Sequence, residues 1–347
     1  MTTTLTTSTT EATAATRIIS ADSHVHEPPE VWLNVPQRFR ERAAQIGQQS
    51  NLAKGKPSGM DPRERVKEME IDGVTAEVLY PTTGIRLYDI EDHEYQEALF
   101  RAYNDWLMEY CRYAPNRLVG LPALSLYNID SAVKELERCR KGGLQGALVW
   151  LNPPDDLPFT SSHYEPLWEA AQALNAPVNL HITLHLKSHQ SFQASEHEQV
   201  KLGINRRTAQ AADALFDFLN GGILDRYPRL QVVLVELHIG WIPFMLQQWD
   251  ASLSRRGQTD PEQLPSRKFE RQVWATFIED VVGGQLLSHW GQDRCMWSSD
   301  YPHPASFWPH SRESIQKALG HLPDDVRRKI VHDNVVRLYP EALGKYG

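Results

Sequence analysis

Asp22, His24 and His26 stand at every second position of "ADSHVHEPPE", and Glu27 follows at once. In an extended strand that spacing puts one carboxylate and two imidazoles on one face, with Ser23 and Val25 on the other. Side chains of these types, brought together, hold a borderline divalent cation such as zinc, manganese or iron. Three other short segments carry the same chemistry: "NLHIT" with His181, "VELHIGW" with Glu236 and His238, and "SSDYPHP" with Asp300 and His303. An ion held by about three protein side chains keeps a position open, where it can activate water or polarise a substrate oxygen. A neighbouring imidazole, His238 or His303, could then carry a proton. Taken alone, a His-x-His arises by chance, and Glu236 serves equally well as a structural partner of a neighbouring strand. Convergence of the four segments is what would make them a site.

To converge, each segment must end a strand whose neighbours open to the same side. The chain has eight short β-rich runs, beginning at Arg17, Val74, Leu118, Gly146, Pro177, Leu230, Val273 and Cys295. Most are continuously apolar rather than alternating, as expected for parallel strands covered on both faces. Helical patterns lie between them, among them "EYQEALFRAYNDWLMEYCRYA", "DSAVKELERCRK", "YEPLWEAAQAL" and "RTAQAADALFDFL", with Asp130 and Asp324 as start signals. This alternation predicts an α/β fold, a (β/α)8 TIM barrel, whose usual length of about 250 residues leaves room for long loops. The alternative, an open doubly wound sheet, would want a Gly-rich phosphate loop after the first strand, and there is none. Two long polar connections, Asn34 to Met60 and Leu184 to Asn205, follow strands 1 and 5 and are candidate lids. His185, His189, His93, His163 and His197 read as solvated, and the ten tryptophans as core.

Composition narrows the partners. Of the 347 residues, 41% are hydrophobic and 23% charged, which is the balance of a soluble globular protein. A net charge of −8 with no basic block argues against nucleic acid or an anionic membrane surface. No run approaches the roughly 18 apolar residues of a membrane span. The Thr-rich residues 1–15 read as a flexible tail without a secretory signal, and residues 16–347 as one metal-binding barrel domain, expected in the cytoplasm. Cys111, Cys139 and Cys295 are scattered, with no CxxC pair, so a metal must be held by His and carboxylates.

The segments "DSHVHEPPEVW", "APVNLHI", "HIGWIPFMLQQWD" and "WSSDYPHP" resemble the amidohydrolase-related family that includes aminocarboxymuconate-semialdehyde decarboxylase and the resorcylate decarboxylases. The resemblance implies a barrel that holds a divalent metal through strand 1, His181 and Asp300. Strand 1 admits two registers, His24 with His26 or Asp22 with His24. Leu237 and His238 stand where relatives usually have small residues, and "HITLHLKSH" replaces a Gly-containing turn. The added imidazoles raise a second metal, using Glu27, His238 or His303. Three functions follow as expectations. The first is a metal-dependent hydrolase or non-oxidative decarboxylase of a small carboxylate-bearing molecule, with Asp300 as ligand and base and His238 as proton shuttle. The second is a dinuclear oxygen-activating hydroxylase of a small polar substrate. The third is a non-catalytic barrel subunit beside a catalytic paralogue. The expected cofactor is a divalent ion, zinc first with manganese or iron as alternatives, and the expected assembly a homo- or hetero-oligomer.

Overall fold

A computed structural model describes residues 17–49, 57–182 and 195–347. All eight expected runs form strands: β1 (Ile18–Val25), β2 (Val74–Pro81), β3 (Leu118–Gly120), β4 (Ala147–Val149), β5 (Val178–His181), β6 (Val232–Val235), β7 (Val273–Phe277) and β8 (Cys295–Trp297). Sequential strands pair in parallel, β1 to β3 in one set and β4 to β8 in another. The sets join where Leu148 N donates to Pro122 O (2.8 Å) and Leu124 N to Leu148 O (3.1 Å). The ring closes where Asp300 N donates to Asp22 O (3.0 Å) and His24 N to Tyr301 O (2.7 Å). The chain is therefore a parallel α/β barrel, as its runs imply.

Every strand residue except Thr75 is buried. That accounts for the unbroken apolar runs, since helices cover the outside while the inner faces pack on one another. Among the helices are His93–Arg112, Ile129–Lys141, Glu165–Ala173, Arg207–Asn220 and Ile242–Arg255. Asp92 caps the first of these and Asn128 the second; Asp130, expected as the start signal, falls two residues after the cap, in the first turn. Helix Asp324–Arg328 begins where expected, with Pro323 ahead of it.

The seam between β1 and β8 is polar, and its serines Ser20, Ser23 and Ser299 bond one another. Ser20 Oγ donates to Asp22 O (2.8 Å) and accepts from Ser299 N (2.9 Å), while Ser23 Oγ donates to Ser20 Oγ (3.0 Å). Arg65, from helix Pro62–Asp72, is wholly buried beside this seam. Its guanidinium donates to Glu77 Oε2 (2.5 Å), His24 O (2.7 Å) and Tyr301 O (3.2 Å), strapping β1, β2 and β8 together.

Residues 40–49 of the first expected lid form a helix whose Ala43 is buried, so that part is packed structure. The tail, most of the second lid, and His185 and His189 lie outside the described residues. His93 and His197 are exposed as expected. His163 is half-buried, with Nε2 on Leu126 O at 2.8 Å. Among the described residues no helix is long and apolar enough to cross a membrane.

Candidate active site

The strand ends bring their polar residues to one mouth. Asp22 and His24 belong to β1, His181 ends β5, Glu236 follows β6, and Asp300 lies three residues beyond β8. One ligand atom each from Asp22, His24, His181 and Glu236 falls within 4.8 Å of the others, and so do atoms of His24, Asp300 and His303. His24 is common to both groups.

Hydrogen bonds at the back of each imidazole fix what its front presents. His24 Nδ1 lies 2.9 Å from Pro81 O, and His181 Nδ1 lies 2.7 Å from Ile182 O. A carbonyl only accepts, so each Nδ1 carries a proton and each Nε2 is the nitrogen left facing the mouth. The two Nε2 atoms face each other at 3.2 Å. Around them stand Asp22 Oδ1 (3.5 Å from His24 and 3.6 Å from His181), Asp300 Oδ1 (3.4 Å from His24) and Glu236 Oε2 (3.7 Å from His181). Both carboxylate oxygens of Asp22 are buried without a hydrogen-bond partner. Two Nε2 atoms and bare carboxylate oxygens turned on one point call for a shared positive charge, which a bound cation supplies. The backbone carbonyls behind the imidazoles are the supports metal-binding histidines usually have. The donor set fits a divalent ion.

The electrostatics of the cluster follow from burial and mutual charge. Burial, with the charges of His303 and His181, holds His24 well below the usual imidazole range. Burial opposes the charged form of His181 too, but Asp22 and then Glu236 outweigh it and lift its pKa to about 9. Burial raises Glu236 to about 7; His181 opposes the shift while Asp300 and Asp22 add to it. Asp300 is also raised by burial, against the hydrogen bond from His303 and with the charge of Asp22.

Three non-glycine residues at the mouth have left-handed backbone, Glu236 (φ 58°), His238 (φ 57°) and Asp300 (φ 51°). Such conformations cost on the order of 1 kcal/mol each and persist only when neighbours enforce them. Here Glu236 N donates to Thr276 Oγ1 (2.9 Å), and Ile239 N and Gly240 N both donate to Asp280 Oδ2 (2.8 Å).

Beside the cluster, His303 Nδ1 donates to Asp300 Oδ1 at 2.8 Å, Thr82 Oγ1 meets its Nε2 at 3.1 Å, and its ring stacks on His24 at 3.9 Å. His26 does not join them. Its ring lies 6.3 Å from that of His303, buried, with neither nitrogen bonded, and burial pushes its pKa down to about 4. Glu27 is committed elsewhere: Oε2 accepts from Thr83 N (2.9 Å) and Oε1 from Gly84 N (2.8 Å). His238 is exposed, outside the residues that line the cavity.

That cavity has a volume of about 400 Å³. His24, His181, Glu236, Asp300 and His303 line it, and so do Arg86 and Arg207, which the sequence reading passed over. Arg86 had a signal, since it sits five residues past β2, at the end of the barrel where the other polar strand ends gather. Arg207 opens a helix, and nothing in its local sequence marks it.

Comparison with known proteins bears on this geometry. The family model described as amidohydrolase matches residues 21–340. A gamma-resorcylate decarboxylase from Polaromonas sp. is 28% identical over 280 residues, 74% of this chain and 83% of that protein. One from Rhodococcus jostii is 30% identical over 233 residues, 61% of this chain and 69% of that protein. Among solved structures, a dihydroxybenzoic acid decarboxylase from Polaromonas sp., with bound manganese and the inhibitor 2-nitroresorcinol, superposes with a TM-score of 0.73 at 22% identity. It covers 94% of this chain and 99% of that one.

Proposed function

This chain belongs to the amidohydrolase family, and on that premise we propose that it is a metal-dependent non-oxidative decarboxylase of small aromatic carboxylates. The observation that carries the reading is the pair of inward-facing Nε2 atoms beside the bare Asp22 carboxylate, with the Asp300–His303 couple next to them. Asp22, His24 and His181 would hold the ion, and Asp300 stands within reach of the same position. When bound, the ion supplies a Lewis acid for a substrate oxygen. Manganese, which occupies the similar Polaromonas structure, is the ion proposed in place of the zinc expected from residue types. His24 sits in both donor groups, and the Glu27 carboxylate is already bonded, so one ion is the count proposed.

Decarboxylation without an oxidant needs a proton delivered to the ring carbon that bears the carboxylate. Asp300, kept protonatable by burial, is placed to give it, and His303 at 2.8 Å restores it. With that carbon protonated, the bond to the carboxylate breaks, its electron pair returns to the ring, and carbon dioxide leaves. The buried walls around Asp22 and His24 keep bulk water from competing for the proton.

The test is turnover of 2,6-dihydroxybenzoate by manganese-loaded protein in deuterated water. The reading requires carbon dioxide release, one deuterium on the vacated carbon and no oxygen uptake. A loaded protein that consumes oxygen, or cleaves an ester or amide while sparing hydroxybenzoates, would overturn it.

A further inference from the structure

We infer, resting on the metal site of the decarboxylase reading, that Glu236 rather than Asp300 completes the donor set of the ion, and that Asp280 is the residue that positions it. The family resemblance implies Asp300 as the carboxylate that joins strand 1 and His181 on the metal. The structure sorts the donors differently. Asp22, His24, His181 and Glu236 bring one atom each within 4.8 Å of one another, whereas Asp300 is grouped with His24 and His303. Asp300 Oδ1 is already engaged, accepting from His303 Nδ1 at 2.8 Å. The Glu236 carboxylate accepts no hydrogen bond among the described residues, and its Oε2 stands 3.7 Å from His181 Nε2.

Charge favours the same assignment. With both imidazoles neutral on the ion, Asp22 and Glu236 supply the two negative charges that balance a divalent cation. A third carboxylate on it would leave a net negative charge among buried groups, since Asp22 and His24 are closed off from water. Kept off the ion, Asp300 stays free to deliver the proton that decarboxylation needs.

Glu236 is also put in place at a cost. Its backbone (φ 58°) and that of His238 (φ 57°) are left-handed, with Leu237 buried between them. Non-glycine residues hold such a backbone only where their surroundings fix it. Asp280 does much of the fixing: Oδ2 accepts from Ile239 N and Gly240 N, and Oδ1 from Gly283 N, all at 2.8 Å. Thr276 Oγ1 accepts from Glu236 N (2.9 Å), and Leu237 O accepts from Trp241 Nε1 (2.8 Å). The carboxylate of Asp280 is so closely enclosed that a Cβ on Gly240 would come within 3.1 Å of Oδ1, and one on Gly283 within 2.8 Å of Oδ2. Asp280 itself is not among the residues lining the cavity, so it acts through the turn. Were Glu236 only a rim carboxylate, an unstrained turn would serve as well.

The experiment measures the manganese dissociation constant of the intact chain, from the paramagnetic resonance signal of the free ion, in Glu236→Gln, Asp300→Asn and Asp280→Asn. Glu236→Gln should weaken binding by about a hundredfold or more, and Asp280→Asn by roughly tenfold, as for a residue that holds a ligand in place. The loss in Asp300→Asn should be the smaller of the two carboxylate losses. Metal-free, Glu236→Gln should keep the urea midpoint of the parent, which separates a lost donor from a damaged fold. If Glu236→Gln binds manganese as the parent does, or if Asp300→Asn loses as much affinity or more, the assignment of Glu236 is overturned. If Asp280→Asn lowers the urea midpoint but leaves the dissociation constant unchanged, Asp280 is structural and its positioning role is overturned. A parent that binds manganese through Glu236 yet leaves hydroxybenzoates untouched would sink the decarboxylase reading and keep the ligand. A parent that binds no manganese would sink both.

Discussion

The two ends of the barrel treat buried polar atoms in opposite ways. At the N-terminal ends of the strands, Trp274 Nε1 donates to Gln231 Oε1 (2.8 Å), and its ring lies beneath Arg294 and Arg337 at 4.5 and 4.7 Å. Arg294 in turn donates to Glu270 O (2.5 Å) and Arg271 O (2.7 Å), Gln272 Nε2 to Tyr227 O (2.9 Å) and Asn334 Nδ2 to Cys295 O (2.8 Å). Each of these groups has its partner within the chain. At the opposite mouth, both oxygens of Asp22, both nitrogens of His26 and Arg207 Nε have none. Unpaired buried groups cost roughly 1–3 kcal/mol each. The bare carboxylate of Asp22 has no such partner to offset its cost, and it stands where a cation would supply one.

The sharpest way to break this contrast is Asp22→Asn. With the ion's anionic anchor gone, metal content should fall to near zero and turnover by about a thousandfold or more, the scale of losing metal-assisted catalysis together with positioning. Metal-free, the same variant should be at least as stable as the parent by denaturant titration, since it removes a buried unpaired charge. Loss of both function and metal-free stability would mean that Asp22 belongs to the satisfied kind of polar group. Next in size is Arg65→Met, which strands Glu77 in the core and should cost about 3–5 kcal/mol of stability. Arg65→Met with Glu77→Met should recover much of that in a urea titration. Activity should stay low, because the strap that sets the spacing of His24 and Asp300 is gone. At the other end, Trp274→Ala should cost about 3 kcal/mol through the lost ring. Its kcat per folded molecule should match the parent, which would be a stability effect without a catalytic one.

The same contrast explains what could be read from the sequence. The eight strands were legible because a doubly covered strand must be apolar throughout, and continuous runs such as "LQVVLV" mark it. Asp22, His24, His181 and Asp300 were legible because a polar residue closing such a run has to face something polar. His26 shows where the period of two stops informing: the strand ends at Val25, and His303, from the loop after β8, packs on His24 and lies nearer to it than to His26. His238 looked like a shuttle from its neighbours in sequence. The left-handed turn that sets Glu236 toward His181 sends His238 to solvent, and that turn is enforced by Asp280, some forty residues on. Arg207 depends on how a helix is set against the mouth, a tertiary fact with no local signature. Arg65 and Glu77, twelve residues apart, carry no pattern that would reveal a buried pair.

Glu27 allows the smallest and most discriminating test. In sequence it stands beside His26 and looks like a ligand for a second ion; in the structure it is a bracket for the loop after β2. Glu27→Gln keeps its shape and replaces one accepting oxygen with an NH2 group that faces a backbone N–H. One hydrogen bond is lost and the other loses its charge, so stability should fall by about 1–3 kcal/mol. The loop that carries Thr82 and Arg86 would loosen, lowering kcat/KM by roughly tenfold, about 1.4 kcal/mol, mostly through KM. Manganese per chain, measured by elemental analysis, should be the same as in the parent. A variant that keeps its stability and loses metal would move Glu27 from the bonded class of polar group to the bare one, and would restore the second ion. The bond geometry at Thr83 and Gly84 argues the other way, because a carboxylate whose two oxygens already accept two backbone N–H groups gains less from a cation than Asp22, whose oxygens accept none.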